Sequence, residues 1–249
     1  MSTAVIVAIG NNHSRQWARI AELFFAPSRL FNDIARDGTW WLPFVLTVVC
    51  SLTMTLSAAH LVGFREMAIN TMRGDPSTAT LLDSSTPADQ RESAISTTET
   101  TFKISAASTP ALILLYNALY GLLLWCGLSI INGGRTEFRS IFAVLLYADL
   151  IQDVRAILGT LVLHLGPDPS NFNIQNPFGS NLGYYLGADS PAWLRTFLET
   201  MDGLTIWYLA LIAVGCSIVA KTKRSSTVGL VFGLWLFIVV IRLTWAVIA

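Results

Sequence analysis

Long apolar runs constrain this chain more than any other feature of its sequence. A transmembrane helix needs about 20 predominantly apolar residues, and five runs approach or exceed that length, at residues 41–63, 110–132, 140–165, 197–220 and 227–248. Charged residues make up only 13% of the chain, whereas soluble proteins average roughly 25%. The sequence therefore predicts an all-α polytopic membrane protein with five transmembrane helices and the lipid bilayer as its main solvent.

The segment before the first run is amphipathic. It reads "RQWARIAELFFAPSRLFNDIARDG", with large apolar residues at near-helical spacing and arginines between them. This is typical of a helix that lies on an anionic membrane surface, and Pro27 predicts a break in it. A helix packed against the bundle fits the pattern equally well. The predicted membrane-surface residues are Arg15, Trp17, Arg19, Phe24, Pro27, Arg29 and Phe31.

The chain divides into two parts on this interpretation. Residues 1–39 form a cytosolic N-terminal arm with the amphipathic helix, and residues 40–249 form the five-helix transmembrane domain. Residues 75–109 are rich in Ser and Thr, which predicts a mobile loop with one short helix near residues 87–103. Lys and Arg concentrate before the first span and in the second and fourth connections. Because cytoplasmic segments are enriched in these residues, we expect the N-terminus in the cytoplasm and the C-terminus outside.

The stretch "YADLIQDVRA", residues 147–156, places charges inside the third predicted span. Asp149 and Asp153 are four residues apart and so share one helix face, with Gln152 close to it. An ionised side chain at the bilayer centre costs at least about 2.5–3.5 kcal/mol, so these groups need partners. The polar residues of the predicted spans are Asp149, Gln152, Asp153, Arg155, Glu199, Asp202 and Arg242.

Three interpretations of this set remain open. In a network of ion pairs, Arg155 pairs with Glu199 or Asp202, and Arg242 pairs with one of the two aspartates of the third span. In a proton or cation site, the four carboxylates of the third and fourth spans converge. In the third interpretation the polar face docks another membrane protein. The presence of both acids and bases in the spans favours the ion-pair network.

The loop of residues 166–194 contains no Lys or Arg and is rich in Asn, Gly, Pro and aromatic residues. It is interpreted either as a re-entrant segment or lid over the polar spans, or as a belt of aromatic anchors at head-group depth. The candidate residues of this polar loop are Asn176, Pro177, Phe178, Gly179, Asn181, Tyr184 and Tyr185.

Several function classes are disfavoured by the sequence. It contains no GxSxG, P-loop, HExxH or GxGxxG motif, so we expect no enzyme activity and no cofactor. Its three cysteines are isolated in apolar runs, which predicts neither a metal site nor a disulfide framework. The net charge of zero argues against a nucleic-acid partner, which requires a basic surface.

Two stretches carry a resemblance to a known family. "LFFAPSRLFNDIARDGTWWLPFVL", residues 23–46, resembles the opening of the Yip-domain membrane proteins, where an F-x-x-P-x-x-x-F helix precedes Trp, Pro and the first of five spans. "NPFGSNLGYYL", residues 176–186, resembles the polar turn that bacterial members carry before their fourth span. The resemblance implies a five-span helical bundle with a cytosolic N-terminus. Eukaryotic relatives engage Rab-type GTPases and act in vesicle traffic and membrane shaping. That role is not carried over here, because the short N-terminal arm lacks the long cytosolic region of those relatives.

We therefore expect a non-enzymatic protein of the bacterial cytoplasmic membrane. It is predicted to be a scaffold or accessory subunit of a membrane transport, export or membrane-organising machine, in contact with anionic lipids and with another membrane protein or a second copy of itself. The alternative is a small oligomeric proton or cation transporter or channel that uses the carboxylates of the third and fourth spans.

Overall fold

A computed structural model describes residues 16–166, 168–187 and 190–248, and most of these residues are helical. Within these ranges the only extended pairing is an antiparallel bridge between Asn181 and Asp202. The all-helical class predicted from the sequence is confirmed. Arg15 of the predicted surface helix lies outside the described residues.

The N-terminal segment forms two helices. Helix α1 covers residues 16–25 and helix α2 covers Pro27–Asp37. The predicted break is confirmed, since Ala26 is not helical and Pro27 begins α2. Proline suits the first turn of a helix because its missing N–H costs little there. Helix α2 ends at Asp37 and is capped by Gly38, which has a left-handed φ of 57° and whose N–H donates to the carbonyl of Ile34.

The remaining helices follow in chain order. They are α3 (Trp41–Leu61), α4 (Phe64–Gly74), α5 (Pro76–Ala79), α6 (Ala88–Asn132), α7 (Phe138–Leu165), α8 (Ala192–Thr200), α9 (Gly203–Val219) and α10 (Arg224–Ile248). Short 3-10 turns cover Thr80–Leu82, Pro169–Asn171 and Leu182–Tyr185.

Three described helices are long and apolar enough to cross a membrane: α3, α6 and the Arg224–Thr244 portion of α10. Helix α9 is apolar but has only 17 residues. Helix α7 is 28 residues long and contains the charged stretch of the third predicted span. The structure thus supports an integral membrane protein with three candidate spans and one shorter apolar helix, and the figure of five spans stays a prediction.

The helix predicted near residues 87–103 is present, but it is the start of the much longer α6, which begins at Ala88 and continues through Pro110. The mobile loop predicted over the rest of residues 75–109 is therefore largely wrong. The Ser and Thr composition was misleading. Several threonine hydroxyls donate to the carbonyl four residues earlier in the helix, and so do not need water. These are Thr97, Thr98, Thr101 and Thr109. Lys103 also forms an ion pair with Glu99 across one turn of α6.

The single helix predicted over residues 197–220 is also wrong, because the structure divides it into α8 and α9. Met201 and Asp202 lie between the two helices. The Asp202 carboxylate accepts a hydrogen bond from the Leu204 N–H at 2.8 Å, which caps the start of α9. Asp202 therefore lies at the start of a helix, where a carboxylate is stabilising, and not in the interior of a transmembrane span.

The structure separates into two compact units. Unit 1 consists of the described residues of Met1–Thr47, Leu115–Leu150 and Tyr208–Gly233. Unit 2 consists of those of Val48–Leu114, Ile151–Trp207 and Leu234–Ala249. Helices α3, α6, α7, α9 and α10 each contribute one segment to each unit.

The core of unit 1 includes the apolar face of the N-terminal helices. Leu23, Leu30, Phe31 and Ile34 are completely buried. A Cβ at Gly215 of α9 would lie 3.0 Å from the Phe31 ring and 2.5 Å from the Val144 side chain, so these elements are in close contact. Of the two interpretations of the amphipathic segment, the structure shows packing against protein.

The core of unit 2 joins α3, α4, α7 and the loop after α7. Met54, Ala58, Met67, Leu163 and Phe172 form its buried cluster. The side-chain amide of Asn70 donates to the carbonyls of Ser170 and Phe172. This contact holds the loop after α7 against α4.

Candidate functional site

A polar pocket of about 200 Å³ lies within unit 2. Its charged lining comes from helices α7, α8 and α10 and from the residue that follows α4, and consists of Asp75, Arg155, Arg195, Glu199 and Arg242. Amide side chains from the loop between α7 and α8 complete it, namely Asn173, Gln175, Asn176 and Asn181. We refer to this cavity as the unit 2 pocket.

The loop that lines the pocket is shaped by its asparagines. The Asn181 amide donates to the Asn176 side-chain oxygen at 2.9 Å, while the Asn181 side-chain oxygen accepts from the Tyr184 N–H. The Asn173 side-chain oxygen accepts from the Gln175 N–H. Asn side chains bond to nearby backbone in this way because they are short and polar.

The other predicted residues of this loop divide between the interior and the surface of unit 2. Pro177 is buried and packs closely against α7 at Gly159. A Cβ added to Gly159 would lie 3.0 Å from the Pro177 side chain. Phe178 is half-buried. Tyr184 and Tyr185 are exposed, and the Tyr185 hydroxyl donates to the Gly179 carbonyl.

One wall of the pocket is fixed by an ion pair. The Arg155 guanidinium of α7 donates to the carboxylate of Asp202. The side chain of Asp202 is 2% exposed, and it also accepts a hydrogen bond from the Ser180 hydroxyl at 3.1 Å. A buried carboxylate with these partners holds α7, the loop and the start of α9 together.

Glu199 and Arg242 were both predicted as polar span residues, and both line the pocket. Burial raises the pKa of the Glu199 carboxyl, although the nearby cations Arg195 and Arg242 act in the opposite direction. Among the residues that the structure describes, none forms a hydrogen bond or ion pair with the Arg242 guanidinium. The pocket thus holds a cation without a direct partner.

The remaining polar residues of α7 lie apart from this cavity. Asp149 belongs to unit 1, where the Asn117 amide of α6 donates to its carboxylate at 2.7 Å. Asp153 is buried in unit 2, and Gln152 is half-buried there. Asn117 was not predicted, and its only signal is one amide inside the apolar run "LLYNALY".

Arg19, predicted to face lipid head groups, is instead buried in unit 1, where it donates to Asp37. Burial acts to lower the pKa of Arg19, but its hydrogen bond and charge interaction with Asp37 outweigh this and raise the pKa. Helical spacing in the sequence shows on which face of the amphipathic helix Arg19 lies. It does not show that this face is covered by protein and not by lipid.

Other residues of the same segment do face outward. Trp17 is 57% exposed, and the Arg29 side chain is 78% exposed with its Nε atom 3.2 Å from Glu22. Phe24 and Pro27 are half-buried.

The two basic connections predicted to be cytoplasmic, which follow α6 and α9, both lie in unit 1. The Asn132 amide donates to the Ala220 carbonyl, and Arg139 donates to the Gly38 carbonyl, so the connections after α2, α6 and α9 are bonded in unit 1. Among the described residues, unit 1 has eight Lys and Arg against five Asp and Glu, whereas unit 2 has seven against ten. The two units therefore differ in the sign of their net charge.

No group of three or more His, Cys, Asp or Glu side chains in the described part of the chain has the arrangement of a metal site. The three cysteines have free thiols. Cys50 is half-buried, Cys126 is exposed and Cys216 is buried.

Comparison with known proteins identifies the family. The family model described as the Yip1 domain matches residues 21–246. No curated protein and no solved structure matches the chain. The match covers most of the chain, and it confirms the predicted resemblance to the Yip-domain family. With its long apolar helices and this match, the chain belongs to the Yip1 domain family.

Proposed function

We propose that this Yip1-family protein is a non-enzymatic scaffold or accessory subunit of the bacterial cytoplasmic membrane. It associates laterally, through α10, with another membrane protein or with a second copy of itself. Association of this kind is what a subunit of a transport, export or membrane-organising machine requires.

The observation that carries this proposal is an open glycine notch on α10. Gly229 and Gly233 are four residues apart in an apolar helix, which is the spacing that lets two membrane helices approach closely. A Cβ at either position would meet no atom within 4 Å. Leu236, Phe237 and Val240 are exposed and continue the same face at helical spacing. The notch is therefore available to a neighbouring helix.

The bonding of the polar residues in α7 supports a structural role for them. Asp149 accepts from Asn117, and Arg155 pairs with Asp202. Partners within the chain offset the cost of placing such groups among apolar helices. A conducting site would instead require several carboxylates to converge on one ion.

The test is to fill the notch. We expect chemical cross-linking in the native membrane to trap complexes of the wild-type protein. Gly229→Ile and Gly233→Ile are expected to abolish them, because the branched side chains separate the helices. Gly203→Ile is the matched control, since a Cβ there also meets nothing within 4 Å but lies on α9. Complexes that persist in both α10 variants would contradict lateral association through this face.

A flux assay separates the scaffold from a transporter. We expect the purified protein in liposomes to carry no proton or cation current above empty vesicles. A current that is abolished by Asp153→Asn would overturn the scaffold proposal in favour of transport.

For the orientation we propose that the N-terminus is in the cytoplasm and that the C-terminus is outside. The excess of basic over acidic residues in unit 1 supports this, since positively charged segments are retained on the cytoplasmic side. Alkaline phosphatase fused after the last residue is expected to be active. Activity of a fusion at the N-terminus instead would reverse the orientation.

A further inference from the structure

We infer that the unit 2 pocket binds the phosphate-bearing head group of a membrane phospholipid, with Arg242 and Arg195 as its principal contacts. This goes beyond lateral association through α10 and is independent of it.

The first step is the unmet hydrogen-bonding capacity of the pocket. Among the described residues, the Arg242 guanidinium has no hydrogen-bond or ion-pair partner, and the Nε atom of Arg155 is buried without an acceptor. Arg195 donates through one nitrogen to the Gly187 carbonyl. A cluster of arginines with donors to spare is suited to phosphate, whose oxygens match the guanidinium geometry.

The second step concerns depth in the membrane. Arg242 lies two residues before the end of the candidate span Arg224–Thr244, and an arginine near a helix end places its charge at the interface. Trp193 and Phe197, on α8 beside the pocket, are exposed, as are Tyr184 and Tyr185. Trp and Tyr are enriched where apolar chains meet head groups. The phosphate is therefore expected to come from lipid rather than from solution.

The third step is size and polarity. The cavity of about 200 Å³ is many times larger than the roughly 10–15 Å³ that one water molecule requires. That suits a phosphate with a short substituent. Glu199 and the amides of Asn173 and Gln175 supply acceptors for the hydroxyl or amine that such a substituent carries.

The experiment uses the purified full-length protein in detergent. Native mass spectrometry would follow titration with dioleoylphosphatidylglycerol, with dioleoylphosphatidylethanolamine, with the phosphate-free lipid diglucosyldiacylglycerol, and with soluble glycerol phosphate. We expect saturable binding of at least one phospholipid and at least tenfold weaker binding of the phosphate-free lipid.

The variants locate the site. Arg242→Gln is expected to weaken phospholipid binding at least about tenfold, which corresponds to the loss of one charge-assisted contact. Arg65→Gln is the control, because Arg65 is in the same unit but pairs with Glu92 at 2.6 Å outside the pocket. Should Arg242→Gln fail to fold, Glu199→Gln provides an opposite test. Removing this negative charge is expected to strengthen phosphatidylglycerol binding.

Three results would overturn the inference. They are equal binding of phospholipid and phosphate-free lipid, an Arg242→Gln variant that binds as the wild type does, and competition by glycerol phosphate at the concentration at which phospholipid binds. The last would identify a soluble phosphate ester as the ligand. Weaker phosphatidylglycerol binding by Glu199→Gln would also contradict a phosphate at this position.

Discussion

The guanidinium of Arg155 in α7 donates a hydrogen bond to the carboxylate of Asp202, the residue that caps α9. The same carboxylate accepts from the hydroxyl of Ser180. The Asp202 carboxylate thus caps α9, pairs with the charge of Arg155 in α7 and holds the loop that lines the pocket.

Asp202→Asn tests the energetic weight of this contact. Removing one member of a buried pair leaves an uncompensated charge, so we expect a loss of about 3 kcal/mol in the free energy of unfolding. Unfolding in detergent micelles would measure it. Asp83→Asn, at an exposed position, is expected to change stability by less than about 0.5 kcal/mol. Equal effects of the two variants would show that the pair has no special weight.

Asn117→Ala tests the amide that donates to Asp149. Membrane-embedded hydrogen bonds contribute about 0.6–2 kcal/mol, and we expect a loss of stability in that range with thermal unfolding as the measurement. Asn32→Ala is a matched control, because the Asn32 amide donates to the Ser28 carbonyl at an exposed position. A wild-type melting temperature for Asn117→Ala would mean that Asp149 has exchanged this donor for another at no cost.

The Arg19–Asp37 pair gives unit 1 a defined acid dependence. Partial burial of the Asp37 carboxyl acts to raise its pKa, but hydrogen bonds from Arg19 and Thr39 outweigh this and hold the pKa below its ordinary value of 3.8. The folded state therefore binds this proton less readily than the unfolded state. The pair's contribution is complete above pH 3.8, and it is lost as the pH falls through the lower folded pKa.

Asp37→Asn should reveal this dependence. We expect a destabilisation of about 1–2 kcal/mol at neutral pH, discounted because solvent reaches Asp37. The difference from wild type should stay constant from pH 7 to about pH 5 and shrink below about pH 4, as followed by thermal unfolding. Glu137→Gln is the control, since Glu137 is an exposed carboxyl in the same unit. A difference that grows on acidification would refute the assignment.

Gly215→Ala tests the packing of the N-terminal helices. The added Cβ would lie 2.5 Å from Val144 and 3.0 Å from Phe31, and overpacking of this kind typically costs about 1–3 kcal/mol. We expect lower stability and faster proteolysis within residues 16–37. Gly203→Ala, where a Cβ meets nothing within 4 Å, should be neutral or slightly stabilising. A neutral Gly215→Ala would show that α2 moves aside without cost.

Features that depend on neighbouring residues were predictable from the sequence. Trp41 does begin α3, and Pro27 does separate α1 from α2. Helix α6 ends at Asn132, where Gly133 and Gly134 both have positive φ. In each case a local steric or capping preference decides the backbone.

Features that depend on distant partners were not predictable. Asn117 and Asp149 are separated by 32 residues, and Arg155 and Asp202 by 47, so spacing alone offered several partners for each charge. For Arg19, periodicity indicates the helix face but not whether lipid or protein covers it. The sequence also placed Glu199 and Arg242 in spans without indicating that they line one cavity.

Pro110 has a consequence for where α6 changes its surroundings. Proline has no N–H, so the carbonyl of Ala106 loses its helical donor. Before this point the helix is rich in Ser and Thr, and after it the sequence is almost entirely apolar. The break in the backbone hydrogen bonding thus falls at the boundary between the polar and the apolar part of α6. The same proline two turns later would leave a bare carbonyl in hydrocarbon, at a cost of several kcal/mol. The hydrogen bond that Pro110 removes thus lies at the polar end of the apolar segment of α6.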